Sequence, residues 1–207
     1  MQINLPIGFD NCLIWWPERG MGFHPAPPMD YQEDYWQDYL QRDASHMGAV
    51  LTQARVNFVR KHMGNDINAL VDVGIGGGRF VQDANCWGFD INEQAIKWLK
   101  ARGSFTNPLT IEPEAISCWD SLEHMPKPEK LLKRVKKWLF VSLPIFTHPE
   151  AIPQSKHYKP SEHLWYFTHD GFIRWCAAQG FDLVEFNTQE SDLGRQGIVT
   201  YAFRRSV

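Results

Sequence analysis

LVDVGIGGGRFV, Leu70 to Val81, passes from a strand-like run straight into glycine, and its reading decides the fold. The segment ALVDVG reads as a strand and GRFVQDA as a short helix. Glycines between them let the backbone turn sharply and approach a ligand with no Cβ in the way. In an open α/β sheet, ligands bind beyond the carboxyl ends of the strands, where the strand order switches. The loop after this strand is therefore the expected site. A dinucleotide fingerprint counted from Gly74 would require glycine at position 79, which is Arg79. What stands here is Asp72-x-Gly74-x-Gly76-x-Gly78, an acid followed by three alternating glycines.

Strand-like and helix-like segments alternate outward from this loop. CWGFDI and AISCW read as strands, with the helix NEQAIKWLKARG between them and Gly103 as its stop. KPEKLLKRVKKW reads as a helix, LFVSLPI as a buried strand and THDGFIRWCAAQG as a helix. FDLVEFN and IVTYAFRR follow with no helix between them, which predicts an antiparallel pair near the C-terminal end. The expected fold is a three-layer Rossmann-like α/β domain with a mainly parallel sheet. Residues 31–63 read as two helices broken near Ser45–Gly48, and Gly64-Asn65 ends them. Residues 1–30, rich in Pro, Gly and aromatics, read as an irregular arm. The single domain is then expected over residues 31–207.

A chain of 207 residues suits one core. No apolar run approaches the ~20 residues that span a membrane, and no secretory signal opens the chain, so a cytoplasmic address is the default expectation. The four cysteines, Cys12, Cys86, Cys118 and Cys176, form no C-x-x-C pair, which argues against a zinc knuckle or a disulfide framework. A net charge of −3 gives no general attraction to nucleic acid. In the one basic run, Leu131, Leu132, Val135, Trp138 and Leu139 fall at helical spacing, so it reads as a helix with a solvated basic face. A local RNA or DNA patch is the alternative. Nothing in the sequence defines an oligomeric state.

The acid and alternating glycines resemble motif I of class I S-adenosylmethionine-dependent methyltransferases. A second segment, ISCWDSLEHMPKPEKLL, resembles the region after the fourth strand in the ubiquinone-biosynthesis-type O-methyltransferase branch. KWLFVSLPIF and HYKPSEHLWYFTHDGFIRWCAAQGFDLVEFN resemble that branch's later parts, so the likeness runs from about Tyr31 to Arg205. It implies S-adenosylmethionine as cofactor, with Asp72 organising the loop and facing the ammonium group. Asp90 would accept from the ribose hydroxyls, a role that would also suit a dinucleotide. Ile91 would pack on the adenine, its alternative place being the core, and Asn107 and Trp119 complete the cofactor-side candidates. The run from Gly78 to Asp90 is short, which predicts a stunted first helix. GSFTNPLTIEPEA likewise leaves little room for a regular third unit.

Asp120, Glu123 and His124 stand at i, i+3 and i+4, which would bring them to one face. In some relatives such a group, with a later histidine (here His163), binds a divalent metal. Carboxylates with imidazole suit Mg, Mn or Zn. His124 or His163 as general base, and a purely structural role, stay open beside it. The catalytic candidates are His124, Glu123 and His163. The expected reaction is methyl transfer to a small-molecule acceptor, at oxygen, with no nucleic-acid or membrane partner. DSLE lacks the Pro-Pro-aromatic signature of base-amine methylation in DNA. The rivals are an S-adenosylmethionine-binding module without transfer, and a metal-assisted RNA methyltransferase. Trp15, Trp16, Phe23, Tyr31, Tyr35, Trp36 and Tyr39 precede the sheet; YQEDYWQDYL reads as part of a lid or as core packing.

Overall fold

The computed structural model describes residues 12–25 and 33–206; Tyr31 and the rest of the arm lie outside them. Two helices, α1 (Glu33–Ala44) and α2 (His46–Met63), precede the sheet. They break where expected, because the Ser45 hydroxyl leaves the helical path and accepts from the Gly48 amide at 3.0 Å. β3 (Leu70–Val73) leads through the glycine loop into α3 (Arg79–Ala84), then β4 (Trp87–Phe89) and α4 (Glu93–Ala101). At six residues, α3 is as short as the spacing implied. Asn92 caps α4, its side chain accepting from the amides of Gln94 and Ala95. The third unit shrinks to a single parallel bridge, Gly88 to Phe105.

β5 (Ala115–Trp119), α5 (Pro128–Leu132) and β6 (Trp138–Phe146) follow, then β7 (Trp165–Thr168) and α6 (His169–Ala178). β8 (Phe181–Asn187), α7 (Gln189–Asp192) and β9 (Ile198–Arg205) complete the domain. β4, β3, β5 and β6 are neighbours in that order and parallel, and β9 lies antiparallel between β6 and β8. This is the Rossmann-like α/β arrangement expected, with its antiparallel strands near the C-terminal end.

The period-two pattern of the strands separates two apolar layers. Val71, Val73, Ile116, Leu139, Val141, Tyr201 and Phe203 pack with α5 and α6. Leu70, Ala115, Phe140 and Ala202 pack with α2, α3 and α4. Each fully buried large side chain contributes about 1.5–3 kcal/mol.

Two expectations need correction. The described part of the arm is a hairpin, β1 (Ile14–Trp16) with β2 (Met21–Phe23), and β2 pairs with β7, so it belongs to the same nine-stranded sheet. Strands of three or four residues have no readable period, which is why neither these two nor β7 emerge from the sequence. The basic helix stops at Leu132. Arg205 donates to the carbonyls of Leu132 and Val135, and the amides of Lys136 and Lys137 bond Pro113 and Glu114, which takes the groups a longer helix would use. Trp138 and Leu139 accordingly belong to β6. Among the described residues no helix is long and apolar enough to cross a membrane.

Candidate active site

The carboxyl ends of β3, β4 and β5 open into one cavity of about 730 Å³, within the range of ~300–1,000 Å³ typical of small-molecule sites. The glycine loop forms its floor. Gly74 and Gly76 have φ of 79° and 56°. A Cβ at Gly74 would lie 2.6 Å from that of Ser121, and one at Gly76 would lie 2.9 Å from the Tyr39 ring. Gly78 serves a different end: it does not line the cavity, and a Cβ there would press into the Trp98 ring at 2.7 Å. Asp43, at the end of α1, clamps the loop from above by accepting from the Arg79 amide at 3.1 Å.

Asp72 lines the cavity yet is only 1% exposed. The Ser117 hydroxyl donates to it at 2.7 Å, and no described cation bonds it. Burial pushes its carboxyl up to about 7, against the smaller effects of Ser117 and a distant Arg55. Asp90 follows β4 directly, its oxygens accepting from the backbone amides of Ile75 at 2.9 Å and Asn92 at 2.8 Å, with the Ile91 amide also acting on it. Burial raises it as well. Ile91 is 66% exposed on the cavity rim, so its core alternative fails. Trp119 lines the cavity, its ring edge-on to Phe80 and its buried indole N–H without a partner. Asn107 does not line it; its side chain closes a local turn by accepting from the Leu109 amide at 2.9 Å, and Pro108 and Leu109 reach the cavity instead. The aromatic helix divides its roles: Tyr35 and Tyr39 line the cavity, while Trp36 packs in the core beside Trp98.

Asp120 does not join Glu123 and His124. Its φ of 53° at the end of β5 turns the chain, and its carboxylate meets Arg55 at 3.0 Å and Arg195 at 2.8 Å. Burial alone would raise this carboxyl, but Arg195 and Arg55 together hold it below the usual range. Arg55 also grips buried Glu190 with two nitrogens, Nε at 2.8 Å and Nη2 at 2.9 Å, and lies 5.1 Å from the Trp119 ring centroid. Arg195 bonds Glu190 as well. Arg55, Glu190, Arg195 and Asp43 were not foreseen, because no local motif links residues that meet only across the folded sheet.

The other three metal candidates do converge. Ligand-capable atoms of Glu123, His124 and His163 lie within 4.8 Å of one another, and the two imidazoles stack edge-on at 4.7 Å. His124 alone of the three lines the cavity; Glu123 and His163 are buried behind it. His124 Nδ1 lies 3.0 Å from the Glu162 carbonyl, which can only accept, so Nδ1 carries the proton and Nε2 keeps its lone pair. Burial lowers His124, and lowers His163 to about 3 with help from the charges of His124 and Lys159. Both Glu123 oxygens are buried without a hydrogen-bond partner, and burial with the nearby Asp120 charge raises this carboxyl well above its usual range.

A Rossmann-like sheet with a glycine loop, an acid after the next strand and a cavity at the strand ends is an arrangement that class I methyltransferases share. A family model described as a methyltransferase domain matches residues 38–186, and the chain belongs to that family. Among curated proteins none matches the sequence. Solved structures share the fold at low identity. Magnesium protoporphyrin IX methyltransferase from Synechocystis PCC 6803, solved with bound SAH, is 14% identical over 84% of this chain and 93% of its own, with a TM-score of 0.59. A possible histamine N-methyltransferase from Thermotoga maritima is 16% identical over 84% and 98%, with a TM-score of 0.57. The 1,6-didemethyltoxoflavin-N1-methyltransferase of Burkholderia thailandensis is 14% identical over 90% and 96%, with a TM-score of 0.54.

Proposed function

We propose that the chain transfers a methyl group from S-adenosylmethionine to an oxygen of a small-molecule acceptor. The observation that carries this reading is the buried carboxylate of Asp72, which no described cation bonds and which lines the same cavity as Asp90 and His124. An ammonium group in the cavity would neutralise Asp72, and the Asp90 carboxylate, which lines the same cavity, can accept from ribose hydroxyls. Ile91 and Leu109, exposed on the rim, give the adenine an apolar place. When bound, the sulfonium supplies an already activated methyl group, so the protein contributes positioning and proton removal. His124 Nε2 takes the acceptor's proton, and the Glu162 carbonyl keeps the imidazole in the tautomer that can do so. His163 and Glu123 support that ring from behind. The likeness of WDSLEHMPKP to O-methyltransferases favours oxygen as the methylated atom, and the small-molecule enzymes among the structural neighbours favour a small acceptor.

Calorimetry with S-adenosylmethionine and S-adenosylhomocysteine tests this reading. Both should bind with one site per chain, and absence of binding by both would sink it. Binding without turnover over a broad acceptor panel would favour a module that has no transferase activity. The RNA alternative loses the long basic helix, because α5 ends at Leu132 and most of the basic run lies in the turn before β6; absence of RNA binding at low salt would remove it.

The orphaned oxygens of Glu123 favour a second reading, a divalent cation on Glu123, His124 and His163. One carboxylate and two imidazoles suit Mn or Zn better than Mg, which prefers an oxygen cage. Asp120, engaged by two arginines, is no part of it. Such a cation would lower the pKa of an acceptor hydroxyl. Metal analysis of the purified protein should then find about one equivalent of Mn or Zn that Glu123→Gln abolishes. A metal-free protein with full turnover in chelator would eliminate this reading.

A further inference from the structure

Across the strand ends the cavity changes sign. On the β3 and β4 side its wall carries Asp43, Asp72 and Asp90, with Arg42 over the Tyr39 ring, so carboxylates outnumber cations there. On the β5 and β9 side it carries Arg55, Arg195, Lys127 and Lys130. Two carboxylates, Asp120 and Glu190, answer the arginines, and the lysines are left in excess. The two arginines are not used alike. Arg55 spends its side-on pair of donors, Nε and Nη2, on the two oxygens of Glu190. Arg195 reaches Asp120 and Glu190 through Nη1 alone, so the same Nε and Nη2 edge makes no hydrogen bond to any described residue. That edge is the fork that matches a carboxylate with two parallel bonds. Arg195 is also fixed in place by its two acidic partners, so little ordering entropy remains to be lost when it takes a ligand. Met47, Leu51, Met125 and Leu131 line the same cavity and supply part of its apolar surface.

We propose that the acceptor is an amphipathic carboxylic acid, whose carboxylate docks on the open edge of Arg195 with Lys127 and Lys130 nearby, and whose apolar body lies along the methionine- and leucine-lined wall. Arg195 is then a specificity-determining residue, supplied by the turn between α7 and β9. The proposal rests on the cofactor reading above, in that the acidic side of the cavity is given to S-adenosylmethionine and the basic side to the acceptor.

The test uses protein saturated with S-adenosylhomocysteine and pairs of probes of equal shape: 4-hydroxybenzoate against 4-hydroxybenzamide, and 4-hydroxycinnamate against its amide. Calorimetry or ligand-observed NMR should find each acid bound at least tenfold more tightly than its amide. Arg195→Gln should remove that preference by weakening the acid and not the amide, with S-adenosylhomocysteine affinity unchanged within about twofold. Arg195→Lys, which keeps the charge without the fork, should recover only part of it. Lys127→Gln, an exposed change that leaves the arginine network intact, should cost the acids about two- to threefold and reduce the salt dependence of their binding. Amides binding as tightly as acids, a preference that survives Arg195→Gln, or no acid of the set binding at all would each overturn the proposal. If S-adenosylhomocysteine itself fails to bind, the cofactor reading falls, and the same acid and amide titrations on the free protein still decide the role of Arg195.

Discussion

Asp72→Asn is expected to weaken S-adenosylhomocysteine binding by about 100-fold while leaving the free protein at least as stable as the wild type. The two effects have opposite signs because the buried carboxylate serves the ligand and burdens the fold. Loss of one member of a buried ion pair costs about 3–5 kcal/mol, which is on the order of 100-fold or more. The Ser117 bond of 2.7 Å can persist to the amide oxygen of Asn, so the site keeps its shape. The stability effect follows from linkage. The Asp72 carboxyl stands at about 7 in the fold, against ~3.9 in the unfolded chain. Between those values the native state holds a proton that the unfolded chain has released, so stability falls as pH rises from about 4 to 7. Over that window the cost grows to about 4 kcal/mol, at ~1.36 kcal/mol per unit. Denaturant titrations at pH 8 should therefore find the variant equal to or above the wild type.

The same carboxyl sets the pH dependence of cofactor binding. Below pH 7 the free protein must release the Asp72 proton before it can take an ammonium, so affinity should fall about tenfold per unit. Above ~7.7–8.0 the ligand's own amino group begins to lose its charge. Affinity is thus expected to peak between these limits. Calorimetry at pH 6 in buffers of different ionisation enthalpy should detect proton release. A flat profile from pH 5.5 to 8 would remove Asp72 from the ammonium site.

His124→Gln is expected to lower kcat by about 10²–10⁴-fold, the usual range for a general base, with S-adenosylhomocysteine affinity unchanged within about twofold. Transfer of labelled methyl to whichever acceptor the wild type turns over gives the measurement. The two readouts separate proton removal from cofactor binding, because His124 follows β5 whereas Asp72 lies in β3 and Asp90 just after β4. Retention of more than a tenth of wild-type kcat would exclude His124 as the base.

How much of this was legible depended on how locally each feature is encoded. The glycine loop, the acid closing β4 and the short α3 lie within about twenty residues of one another, and local spacing fixes them. For that reason most of the cofactor-side candidates line one cavity, whereas Gly78 faces Trp98 and Asn107 closes the 107–109 turn, places that packing sets. The acceptor side was read poorly. Asp120 looked like a ligand because a helical count puts it beside His124, whereas a positive φ at the strand end turns it to Arg55 and Arg195. Arg55 and Glu190 are 135 residues apart in the chain, and nothing near either announces the other. The basic helix failed for a related reason. Its apolar spacing is real, but the backbone groups beyond Leu132 are claimed by Arg205, Pro113 and Glu114.

The place of β9 sets an order of assembly. It follows β8 in the chain yet lies between β6 and β8, so β8 has no neighbour in the sheet until β9 is present. The two strands are close in sequence and can pair as a hairpin before docking on β6 as one unit, which spares the slow closure of two separate long loops. Glu190 and Arg195 ride in the connection between those strands. The half of the cavity assigned to the methyl donor can therefore form from β3, β4, β5 and α1 without β8 or β9, while the half that chooses the acceptor matures only at the last docking step.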